Sequence, residues 1–137
     1  MPDNGKSAIG LDANLAAALG YPIGILAIVC LIMDKENKFV KFHALQSILL
    51  YVALLAIWIA LVVLSIILGV IGIAASAAGS AGGALGSIVG LLWTLVWLAV
   101  FLGALIAIIV GAVKAYGGNY FKIPIIGNMA EKFANKQ

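Results

Sequence analysis

The sequence predicts an all-α membrane protein with about three transmembrane helices and a short C-terminal interfacial amphipathic helix. Three observations carry this. Of 137 residues, 65% are hydrophobic and only 9% charged, whereas a soluble domain has roughly a quarter charged residues and under half apolar. Three apolar stretches, residues 13–33, 44–75 and 88–113, are each long enough for the roughly 20 helical residues that cross a hydrocarbon core. All eight basic residues are lysines, and they sit beside those stretches rather than inside them. The length allows one membrane domain spanning residues 1–137 and no separate soluble module.

The first stretch contains Gly20, Tyr21, Pro22 and Gly24. Proline lacks a backbone donor and clashes with the preceding turn, so a kink is expected there. A kink in lipid requires that protein or ordered water satisfy the freed carbonyls, which places it against another helix. Asp12 stands just before the stretch and is expected to cap its helix. The N-terminus lacks the basic start and apolar run of a signal peptide, so the first span is expected to be its own insertion signal.

The charged segment 34–42, DKENKFVKF, connects to the second span, which is too long for a perpendicular crossing. Residues 76–87, SAAGSAGGALGS, read as a connecting loop because glycine is a poor helix former. The four-residue recurrence of Gly82, Gly86 and Gly90 also suits close helix approach.

On the third span Trp93, Trp97 and Phe101 form one row, roughly opposite a small-residue row of Ala99, Gly103, Ala107, Gly111 and Ala115. One face is expected to meet lipid and the other a neighbouring backbone. Gly117 and Gly118 should end this helix. In the tail, 114–137, Ile126, Met129 and Phe133 recur at helical spacing and predict a short helix on the membrane surface.

Lysine placement orients three spans. With Lys35, Lys38 and Lys41 in the cytoplasm, Lys114, Lys122, Lys132 and Lys136 follow, and only Lys6 lies outside. The bias predicts an outer N-terminus and a cytoplasmic C-terminus, in a prokaryotic plasma membrane or an organellar inner membrane.

Chemistry is sparse. His43 shares a helix face with Gln46 and Ser47 and could relay protons or bind a metal, but a metal site needs three or four ligands and there is one histidine. Hydrogen bonding to neighbouring helices is the simpler role. No HExxH, phosphate loop or GxSxG is present, and Cys30 is the single cysteine. The expectation is a non-enzymatic protein without cofactor or bound metal. The lysines are not interleaved with exposed aromatics, so nucleic acid is not expected as a partner. The expected partners are the lipid bilayer and other membrane subunits, or further copies of the chain.

Three segments carry a resemblance: GLDANLAAALGY, NKFVKFHALQSILLY and AYGGNYFKIPIIGNMAEKF. Together they resemble a small membrane-protein family of uncharacterised domains related to the chloroplast import component Tic, its twenty-kilodalton inner-envelope subunit. The resemblance covers residues 10–133 and implies a multi-span helical protein and, as a second reading, a part in a translocation or channel assembly. It makes Phe39, Phe42, His43, Gln46, Pro124 and Gly127 candidates for a shared structural feature. The leading reading is an accessory subunit that packs through Ala99, Gly103, Ala107 and Gly111. A membrane enzyme ranks last.

Overall fold

The computed structural model describes residues 1–136 and is all-helical among them, as the composition predicts. Five helices follow in order: α1 (Ala13–Leu19), α2 (Gly24–Met33), α3 (Lys38–Ala77), α4 (Ser80–Tyr116) and α5 (Ile126–Asn135). The 40 residues of α3 and 37 of α4 exceed what a hydrocarbon core requires. Contacts divide the chain into two compact units, Met1–Ala53 with Leu105–Gln137, and Leu54–Ala104. Both long helices run through both units.

In the first unit, the expected kinked helix over 13–33 is instead two short helices, α1 and α2, packed against each other. The break at Gly20–Ile23 reverses the chain. A Cβ on Gly20 would already touch the Ala27 Cβ at 3.4 Å, and Ala13, Ala16, Ala17 and Ala18 are buried, so small side chains let the pair lie close. Asp12 occupies the N-cap position of α1, but its side chain makes no capping bond.

This reversal returns the chain to where it began. Asn4 Nδ2 donates to the Asn14 side chain at 2.8 Å and to Gly118 O at 3.2 Å, and Asn37 Nδ2 donates to Asn4 O at 3.0 Å and Lys6 O at 3.2 Å. The N-terminal segment therefore touches both the α2–α3 connection and the residues after α4. The Gly-Tyr-Pro break between α1 and α2 lets the chain return to these residues. Asn37 also caps α3, its Oδ1 accepting the amides of Phe39 and Val40. Asn37→Ala should cost about 1–2 kcal/mol in detergent unfolding, since a cap and a loop tie are lost together.

α4 ends at Tyr116 as its glycines predict, with Gly118 at φ +76° and its amide on Ala115 O. α5 places Ala130 and Ala134 against Phe42, with Leu45 and Leu49 alongside. Its larger apolar residues, Met129 and Phe133, stay about half exposed on the other side, where an interfacial helix would meet lipid.

In the second unit, residues 76–87 are helical apart from the turn at Ala78–Gly79, which corrects the expected loop. Gly79 has φ +109°, and a Cβ on Gly82 would overlap Ala75 O. Close approach needs glycine at position 82 alone, since a Cβ on Gly83, Gly86 or Gly90 would meet nothing within 4 Å. Trp93 and Trp97 turn inward rather than outward: both indole N–H groups reach Ser65 Oγ, at 2.8 and 3.3 Å. The same hydroxyl donates to Leu61 O at 2.7 Å. Ser65→Ala strands two indole donors and should cost about 1 kcal/mol, seen with a shift in tryptophan emission. Many apolar side chains of this unit are exposed, including Trp58, Ile66, Ile73 and Phe101.

A buried polar cluster as candidate functional site

Within the first unit, α3 presents His43, Gln46, Ser47, Leu50 and Tyr51 along one face, the spacing of a helical stripe. This stripe meets the α1–α2 break and the segment after α4. His43, Gln46, Ser47 and Tyr21 are all fully buried.

The bonds define each proton. His43 Nε2 lies 3.0 Å from Asn119 O, and a carbonyl can only accept, so Nε2 carries the hydrogen. In the neutral ring Nδ1 is then an acceptor, facing Tyr21 Oη at 3.0 Å. Tyr21 Oη in turn accepts from Gln46 Nε2 at 2.6 Å. The second Gln46 amide hydrogen goes to Phe121 O at 2.9 Å, and Gln46 Oε1 accepts the Ile123 amide at 3.0 Å. A directed chain runs from Gln46 through Tyr21 to His43 and Asn119.

The break itself is satisfied from α3. Ser47 Oγ donates to Gly20 O at 2.6 Å, and Tyr51 Oη donates to Tyr21 O. Both carbonyls lie in the break between α1 and α2, outside either helix, and their capture by another helix is what such a break in lipid demands. Gly24 faces the Tyr51 ring, where a Cβ would sit 3.2 Å from Cε2.

Rings enclose the imidazole. Phe39 and Phe42 pack edge-on to His43 with centroids at 4.7 and 5.0 Å, Tyr21 at 5.9 Å, and Tyr120 stacks at 6.3 Å. The Tyr120 phenol titrates above its ordinary range because burial disfavours the phenolate.

Of the residues singled out by resemblance, Phe39, Phe42, His43 and Gln46 meet in this cluster. A Cβ on Gly127 would stand 2.7 Å from Gln46 Oε1, so that glycine lets the tail approach. Pro124 is exposed and borders the cluster, its carbonyl accepting the Ile126 amide at 2.8 Å. The small-residue row divides by unit. Gly111 and Ala115 are buried in the first unit, and Gly111 faces the Tyr21 ring. Ala107 is half-buried. In the second unit Ala99 and Gly103 are exposed, with nothing within 4 Å of a Cβ on Gly103. Sequence reasoning did not find Tyr21, Tyr51 and Asn119 as partners. The available signal was a tyrosine directly before proline inside an apolar run.

No group of three or more His, Cys, Asp or Glu that could hold a metal ion occurs among the described residues. Every side-chain polar atom of His43 and Gln46 is used by the chain itself. The arrangement can hold helices in register; it presents no nucleophile beside a free base.

Two long apolar helices and a broken third apolar segment, held by a buried polar cluster, define a helical membrane protein. The model of the MamF/MmsF family, the magnetosome magnetite crystal formation protein family, matches residues 7–130, and the chain belongs to that family. It is 40% identical over 131 residues to the UPF0132 membrane protein MJ1443 of Methanocaldococcus jannaschii, covering 95% of this chain and 96% of that one. A UPF0132 membrane protein of Archaeoglobus fulgidus is 35% identical over 126 residues, covering 89% and 95%. A second Methanocaldococcus jannaschii relative, MJ1527, is 28% identical over 127 residues, covering 92% and 73%. No solved structure matches. These relatives are named as membrane proteins, and the relation to the chloroplast import component finds no support among them.

Proposed function

We propose that this chain is a non-enzymatic membrane subunit that acts by packing, with itself in the first instance, in the cell membrane. α3 and α4 cross the bilayer and return. The 7 residues of α1 and 10 of α2 are each too short to cross alone and form a re-entrant pair. Both termini then share one side with all eight lysines, which favours the cytoplasm more strongly than seven against one. A prokaryotic plasma membrane is the favoured location.

The observation that carries the packing role is the contrast along α4. Gly111 and Ala115 are already used inside the chain, while Ala99 and Gly103 present the same small-residue pattern exposed, with nothing within 4 Å of a Cβ on Gly103. In lipid, small faces associate because backbones approach closely. For a member of a family described by magnetite crystal formation, this assigns the chain a membrane-structural contribution.

Native mass spectrometry and cross-linking in mild detergent test this. The wild-type chain should run as an oligomer, and Gly103→Leu should give a folded monomer. A monomeric wild-type chain, or an oligomer indifferent to Gly103→Leu, would contradict the proposal.

A further inference from the structure

We propose that the connection after α2 is a binding site for an aminophospholipid headgroup, a primary ammonium joined to a phosphate ester. It rests on the membrane placement above, which sets the lysine-bearing face at the headgroup layer. A pocket of about 620 Å³ opens where the N-terminal loop meets the end of α2, lined by residues including Lys6, Ser7, Met33, Asp34, Lys35 and Glu36.

Two buried groups there lack partners. Asp34 is 3% exposed and Ser7 is 5% exposed. Asp34 Oδ1 accepts the Ala8 amide at 2.6 Å, but Asp34 Oδ2 and Ser7 Oγ have no hydrogen-bond partner. An unpaired buried carboxylate oxygen is costly, and it is rare without a counter-charge or donor. Asp34 is also the C-cap of α2, so the negative end of the helix dipole adds to its own charge. Both effects call for a cation with hydrogens to donate, and a primary ammonium supplies three.

The rest of the lining specifies what carries that ammonium. Lys6 and Lys35 are exposed, suited to a phosphate, and with Asp34 and Glu36 the four charges balance. A balanced lining fits a zwitterionic headgroup better than an anionic one. The pocket is also far larger than a bare ion needs. On α2, exposed Ile25, Ile28 and Ile32 lead to Met33 at the pocket, a track for an acyl chain. A quaternary choline ammonium has no N–H to give Asp34 Oδ2 or Ser7 Oγ, so the site distinguishes ethanolamine from choline.

The full chain in mild detergent, given equal amounts of phosphatidylethanolamine, phosphatidylcholine and phosphatidylglycerol, is read by native mass spectrometry. Retention of phosphatidylethanolamine should exceed phosphatidylcholine about tenfold, the ratio expected of one charge-assisted hydrogen bond. Asp34→Asn keeps an acceptor for the Ala8 amide and should abolish the preference. Should that variant fail to fold, Lys35→Gln, at an exposed position, should weaken retention of both phosphate zwitterions severalfold. Free phosphoethanolamine in large excess should not displace the lipid; displacement would move the site to a soluble ligand and overturn the assignment. Equal retention of the ethanolamine and choline lipids, or an unchanged preference in folded Asp34→Asn, also overturns it. Vesicle-bound protein without lipid preference sinks this inference alone, whereas protein that fails to enter vesicles sinks the membrane placement.

Discussion

Gln46→Leu is expected to destabilise the folded state by about 3–5 kcal/mol, the largest effect of any single substitution in α3. Leucine has the right bulk but none of the bonds. It strands Phe121 O and the Ile123 amide, both of which Gln46 alone engages from α3, and removes the donor to Tyr21 Oη. A buried group left unpaired costs about 1–3 kcal/mol, and three are affected. Tyr21→Phe should cost less, about 1–3 kcal/mol, because it removes one hydroxyl and leaves the Gln46 bonds to the tail in place. Since the two residues share one network, the double variant should be less destabilised than the sum, by about 0.5–3 kcal/mol. Unfolding in mild detergent, followed by circular dichroism, measures all three. A Gln46→Leu effect below about 1 kcal/mol would show that the cluster does not hold the tail to α3.

Gly111→Val is expected to be comparably severe, at about 3 kcal/mol or more, because it both overpacks and disrupts the network. A Cβ at position 111 would clash with one edge of the Tyr21 ring, 2.7 Å from Cδ1 and 2.8 Å from Cζ. The ring has no easy retreat. Its hydroxyl is bound by Gln46 and His43, and its own carbonyl accepts the Tyr51 hydroxyl. Gly103→Val, two turns earlier on the same row, meets nothing within 4 Å and should change monomer stability by less than about 1 kcal/mol. The paired variants separate a position used inside the chain from one left outside. Equal effects at 111 and 103 would contradict the packing described for Tyr21.

The helical class and the apolar segments were legible because composition and run length report the solvent directly. The C-terminal end of α4 was legible too, since Gly118 has a local conformational reason to be there. The path of the first segment was not. Gly20-Tyr21-Pro22 announces a break, but whether a break is a kink or a reversal depends on Ser47 and Tyr51, which are distant in sequence and capture the exposed carbonyls. The orientation of Trp93 and Trp97 was not legible for a related reason. Periodicity separates two faces of a helix without saying which is inward, and Ser65 decided it. Residues 76–87 misled because glycine content reads as flexibility, whereas here the chain turns only at Ala78–Gly79 and Gly82 lies where a Cβ would meet Ala75 O. His43 and Gln46 were visible as polar residues on one face, but their partners Asn119, Phe121 and Ile123 contribute backbone atoms, which carry no side-chain signature.

The proposed membrane placement puts both termini on one side because the chain turns back at Gly20–Ile23. Single cysteines at Asp3, Ala78 and Asn135, in a Cys30→Ala background, can be probed with a membrane-impermeant thiol reagent in right-side-out and inverted vesicles. Positions 3 and 135 should label from the same side and position 78 from the other. Labelling of positions 3 and 135 from opposite sides would restore a full first crossing and contradict the proposed placement.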